Sequence, residues 1–169
     1  MPRLHALELV PDDAGQDLVR RDWQALRDAG LPSQLDHTGL TNAPHVTVVA
    51  APYLPPEAID VARVRLGSML PLRVRAAGLL LLGGRRLTVA RALDVEDDAV
   101  RRVLAVRVQV PDRQHVGWLP HVTLARRVER AHAQRTVEVL GHEDVELVLT
   151  SLRRWDPERG TVQTLVEGR

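Results

Sequence analysis

The chain has 169 residues, 44% of them hydrophobic, a formal net charge of +1 and no cysteine. That length fits one compact domain over 1–169, or two small intertwined lobes with a sizeable core. The near-neutral balance argues against a nucleic-acid coat protein, and the missing thiols exclude disulfides, zinc–thiolate sites and cysteine nucleophiles.

Residues Leu4 to Val10 read as a first strand. Asp12 and Asp13 are candidate caps for a helix reaching about Ala29, with Val19, Trp23 and Leu26 on its apolar face and Gly30 and Pro32 as its stop. A polar stretch, Ser33 to Asn42, leads into a strand at His45-Val46-Thr47-Val48-Val49. Pro55 and Pro56 open a second helix with Ile59, Ala62, Leu66 and Met69 on one side, stopped by Pro71. Leu72 to Leu82 and Arg86 to Leu93 read as a hairpin turning at Gly83-Gly84. Asp94 with Asp97 resembles a capping box for a third helix carrying Val100, Val103 and Leu104. A strand over Trp118 to Val128, a short helix from His132 to Leu140, and a hairpin of Val145 to Trp155 with Thr161 to Val166 complete the chain.

Two of these strands open on the same four residues, Pro44-His45-Val46-Thr47 and Pro120-His121-Val122-Thr123. With seven histidines in the chain, one His-x-Thr is an ordinary chance event; two, each with Pro before and Val inside, are not. In a strand, residues two apart share a face. Each copy therefore turns a histidine and a threonine one way and a valine the other. Each is followed by a helix and a hairpin, and the copies lie 121 − 45 = 76 residues apart. This predicts an α+β fold of two pseudo-twofold-related lobes, each an antiparallel sheet with helices on its outer face, enclosing a central cleft where the motif strands meet.

Two imidazoles and two hydroxyls around one small anion suit chemistry at a phosphodiester. One imidazole takes a proton from the nucleophile and the other gives one to the leaving oxygen, which predicts a bell-shaped pH profile. Thr47 and Thr123 would bind the non-bridging oxygens as charge builds. The scheme needs no metal and no cofactor. The bland alternative is a duplicated structural strand whose histidines satisfy hydrogen bonds.

Two His-x-Thr motifs at this separation resemble the 2H phosphoesterase superfamily. The run Trp118-Leu119-Pro120-His121-Val122-Thr123-Leu124-Ala125-Arg126 is similar to the second motif of its 2′-5′ RNA ligase and RNA 2′,3′-cyclic phosphodiesterase branch. The resemblance implies a metal-independent phosphodiesterase acting on RNA ends or small cyclic or 2′-5′-linked nucleotides, with reversible ligation open to the same residues. It also implies His45 as acid and His121 as base, an order that the residues alone leave open. It points to Arg126 as a phosphate ligand; strand parity favours Arg127, and a bulge at the strand end would reconcile the two. A binding module that holds a nucleotide phosphate without turnover is the rival function.

Tyr53, after the first motif, and Trp118, before the second, are candidate platforms for a base, with rim or core packing as the alternative. His37 is a candidate cleft residue, Trp23 reads as core, and Trp155 can be either. His5, His115, His132 and His142 read as strand, loop and helix-end positions. The longest apolar run, Ala76 to Leu82, is too short to cross a bilayer. Residues Met1 to His5 lack the segments of a signal peptide, so a cytoplasmic monomer with no membrane association and no obligate protein partner is the expectation.

Overall fold

The computed structural model describes residues 3–168; Met1 and Pro2, at the head of the segment read above for a signal peptide, lie outside the described residues. One run of elements occurs twice. Strand β1 (His5–Pro11), helix α1 (Asp13–Asp28), strand β2 (Val46–Ala51), helix α2 (Pro56–Gly67) and strand β3 (Leu72–Gly83) form the first. Strand β4 (Arg86–Asp94), helix α3 (Asp97–Arg107), strand β5 (His121–Glu129), helix α4 (Ala133–Leu140) and strand β6 (Val145–Asp156) form the second, and β7 (Thr161–Glu167) follows. Each motif leads into the middle strand of its run.

The strands make an antiparallel sheet in the order β1-β2-β5-β4-β3-β6-β7, and β6 also pairs with β1. Strand β6 is long enough for three partners: Val145 to Leu149 lie along β3, Leu149 to Trp155 along β1, and Ser151 to Asp156 along β7. Six strands thus close on themselves, and a pseudo-twofold exchanges β2 with β5, β1 with β4 and β6 with β3. The helices obey it too, since α1 packs with α4 while α2 packs with α3. The architecture is α+β with two antiparallel lobes. Strands β2 and β5 join the lobes at one residue pair, Val46 with Val122, the central valines of the two motifs.

Local chemistry explains most boundaries. Asp12 caps α1 by accepting from the Gly15 amide at 2.8 Å. Gly83 sits at φ +122°, where a Cβ would lie 2.6 Å from the Arg86 carbonyl oxygen, so the hairpin requires glycine there. Arg91 on β4 is buried and holds α1 through Asp22, with Nε–Oδ2 at 2.6 Å and Nη2–Oδ1 at 3.1 Å, while Nη1 donates to the Glu143 carbonyl. Asp22→Ala would leave that guanidinium buried beside a single carbonyl. The expected cost is about 3 kcal/mol, read as a lower urea midpoint at unchanged slope.

Two expectations need correction. Asp94 does not start the third helix; it ends β4 and pairs with Arg75 at 3.0 Å. Glu96 takes the cap position without a side-chain bond, and α3 buries Ala99, Val103 and Val106 while Leu104 is 40% exposed. The stripe Ala99-Val103-Val106 continues to buried Val110 beyond the helix, and this longer face outweighs the one containing Val100 and Leu104. The second motif strand begins at His121 rather than Trp118, because the preceding residues serve neighbouring strands. The Leu93 amide donates to Pro120 O at 3.0 Å, and the Trp118 indole reaches β2.

Candidate active site

The two histidines are mounted alike. His45 Nδ1 lies 2.8 Å from Ala43 O, and His121 Nδ1 lies 2.7 Å from Leu119 O. A carbonyl only accepts, so each Nδ1 carries hydrogen and Nε2 is left as the working nitrogen. Antiparallel pairing of Val46 with Val122 sets His45 beside Thr123 and Thr47 beside His121, with facing Cα atoms about 5 Å apart in regular geometry. Burial agrees with the parity: Val46 and Val122 are 1% and 0% exposed, and the four polar residues are half-buried.

Each threonine is braced from behind. The Trp23 indole donates to Thr123 O at 3.1 Å, and the Trp118 indole donates to Thr47 O at 2.9 Å. Trp23 is core; Trp118 is half-buried against the core with its N–H already engaged. Arg107 of α3 is buried and holds the segment carrying Trp118, with Nη1 on Val48 O at 2.7 Å and Nη2 on the carbonyls of His115 and Gly117. Burial, and after it the charge of Arg113, lower the Arg107 pKa below the usual arginine value.

The other candidates stand apart from these contacts. Tyr53 is 63% exposed just past β2. His37 is exposed at the end of a 3-10 turn (Gln34–Asp36), where its carbonyl accepts from Asn42. Arg126 and Arg127 together face Thr88 in a β-bulge, Arg127 at φ +58°, and both are exposed. Among the described residues neither arginine is hydrogen-bonded to the motifs.

Glu8 escaped the reading of the sequence. It is 6% exposed on β1, opposite Thr47, and its Oε1 lies 3.4 Å from His45 Nε2. Its Oε2 accepts from Arg153 Nε at 2.7 Å. The signal was an acid inside the apolar run Leu7-Glu8-Leu9-Val10, since a charge in a buried strand demands a partner. Only the fold says which one.

Among the described residues one group has metal-ligand character: His5, Asp156 and Glu158, whose ligand atoms lie within 4.8 Å of one another. It belongs to the outer end of β1 and the β6–β7 turn rather than to the motifs, and Arg154 and Arg159 crowd Asp156. A hollow of about 450 Å³ bordered by Gly78, Arg91, His142 and Glu143 contains no motif residue either. No helix among the described residues is long and apolar enough to cross a membrane.

No family model matches the chain, and no curated protein matches it. Solved structures do, over almost its whole length, and they show the fold: the chain is built like E. coli LigT and like a phosphoesterase of known structure. In particular, TT0787 of Thermus thermophilus shares 14% identity over 98% of this chain and 97% of its own, with a TM-score of 0.56. E. coli LigT, in a structure with NADP+, shares 12% over 96% and 93% with a TM-score of 0.54, and LigT has also been solved with 3′-AMP. A crystal structure of a phosphoesterase shares 11% over 99% and 96%, at 0.51.

Proposed function

We propose that the protein is a metal-independent phosphodiesterase that opens RNA 2′,3′-cyclic phosphate ends or related cyclic or 2′-5′-linked nucleotides. The observation that carries this reading is the joint between β2 and β5, where pairing of the motif valines brings two His/Thr sets to one face. The LigT structure with 3′-AMP adds support for a nucleotide ligand on this fold.

The chemistry follows from the side chains. The phosphate lies between the two Nε2 atoms, with the hydroxyls of Thr47 and Thr123 on its non-bridging oxygens. Those hydrogen bonds strengthen as negative charge develops. His121 removes a proton from the attacking water, and His45 returns one to the leaving ribose oxygen. With the 5′-hydroxyl of a second ribose in place of water, the same groups open the cyclic phosphate to a 2′-5′ diester: His121 takes the hydroxyl proton, the bond from phosphorus to the 3′ oxygen breaks, and that oxygen takes the His45 proton.

Assay of nucleoside 2′,3′-cyclic phosphates in excess EDTA tests the reading. Turnover by the wild type, lost in His45→Ala and His121→Ala, is the expected result. Tight nucleotide binding without product in cyclic and 2′-5′ substrates would overturn it in favour of a binding module.

A further inference from the structure

The two lobes correspond strand by strand, and the rung that carries the motif threonines differs between them. Across the first lobe, Thr47 on β2, Glu8 on β1 and Arg153 on β6 are in register. The equivalent rung of the second lobe is Thr123 on β5, Ala90 on β4 and Leu80 on β3. Residues directly opposite in a sheet project to the same side. One threonine therefore has a carboxylate and a guanidinium in line beside it, and the other has a methyl group and a leucine. The Ala90–Leu80 rung shows that this fold closes without charge at these positions.

Glu8 is held firmly. Arg153 Nε supplies its 2.7 Å hydrogen bond, and Arg153 Nη2 reaches Thr41 O, in the segment leading to the first motif, at 3.4 Å. Both side chains of the pair are largely buried, at 12% and 8% exposed. A buried ion pair is weak as a source of stability and is better explained by what it orients.

We propose that Glu8, backed by Arg153, is the positioning residue that makes His45 the proton donor of the pair; this rests on the phosphodiesterase reading above. Ala43 O and Glu8 Oε1 face the two nitrogens of His45 at 2.8 and 3.4 Å, and a ring with hydrogen on both is the form that matches two facing oxygens. His121 meets Leu119 O at Nδ1 and, among the described residues, no acceptor at Nε2. Its neutral tautomer keeps a lone pair there. In the reaction, the water oxygen bonds to phosphorus as its proton passes to His121 Nε2. The bond from phosphorus to the leaving oxygen breaks, and that oxygen takes the Nε2 proton of His45. The 3.4 Å between Glu8 and Nε2 exceeds a closed N–H···O bond, so Glu8 aims the N–H and leaves it available to the substrate.

Glu8→Gln keeps size and an acceptor oxygen and removes the charge. On a nucleoside 2′,3′-cyclic phosphate, kcat should fall about 10- to 100-fold with KM within about threefold. In a His45→Ala background the same change should have no further effect, because Glu8 acts through that ring. Glu8→Gln leaves Arg153 without its counter-charge, so a second variant guards against loss of fold. Glu8→Ala with Arg153→Leu copies the Ala90–Leu80 rung and should give the same kcat loss with native circular dichroism. A kcat within about twofold of wild type in either folded variant, or an equal loss in the His45→Ala background, overturns the assignment. A wild type inactive on cyclic and 2′-5′ substrates strikes down the phosphodiesterase reading itself; an active wild type indifferent to Glu8→Gln removes Glu8 alone.

Discussion

His121→Ala should lower kcat on a nucleoside 2′,3′-cyclic phosphate by about 10²–10⁴, the usual contribution of a general base. Water is a poor nucleophile at phosphorus until its proton has somewhere to go, and in the neutral tautomer His121 Nε2 is the acceptor left on the face shared by the two motifs. The fold should be intact, since His121 is half-buried and its one hydrogen bond is to a loop carbonyl. KM should change little, because the threonine hydroxyls and the loops remain. His45→Ala should cost a comparable factor. The double variant should fall well short of the product of the two losses, as residues that act in one proton relay are not additive. Steady-state kinetics on the three variants, with thermal melts as the control for folding, reads this directly; a His121→Ala enzyme within about tenfold of wild type would contradict the mechanism.

Trp23→Ala carries the largest expected effect on stability, about 4–5 kcal/mol. Trp23 is 2% exposed and links α1 to β5, so its loss opens a large cavity and also strips Thr123 O of its indole donor. Such a loss is a large fraction of a folding margin of about 5–15 kcal/mol. Trp23→Phe separates the two terms: it refills much of the cavity yet removes the indole donor from Thr123 O. That variant should lose clearly less in chemical denaturation and still show reduced turnover, because Thr123 is no longer pinned from behind.

Much of this architecture was legible in the chain because the signals are local. The Asp12 cap, the Gly83-Gly84 turn and the valine–histidine alternation each depend on neighbours within a few residues. The repeated motif exposed the pseudo-symmetry, since similar strands in similar contexts adopt similar places. Two kinds of fact stayed hidden. The rotation of α3 depended on Val110, a core residue outside the helix, which no count of periodicity within Asp97–Arg107 includes. Glu8 and Arg153 are 145 residues apart, and their meeting follows from the register of β1 on β6, a property of the closed sheet rather than of either strand. Tyr53, a candidate base platform, and His37, a candidate cleft residue, are exposed side chains on segments flanking the first motif strand.

The Val46–Val122 pair stands where the axis of a homodimer would run. A β-α-β-α-β unit half this long could pair with its own copy through that valine and build the same floor of two histidines and two threonines. Such a dimer would be isologous, and every residue would face an identical environment in both copies. Its two imidazoles could differ in role only by the accident of which way a substrate entered. A single covalent chain is freed from that equality. Here a glutamate stands where the other half has an alanine, and under the role proposed for Glu8 that difference gives the proton relay one direction and a substrate one productive orientation rather than two.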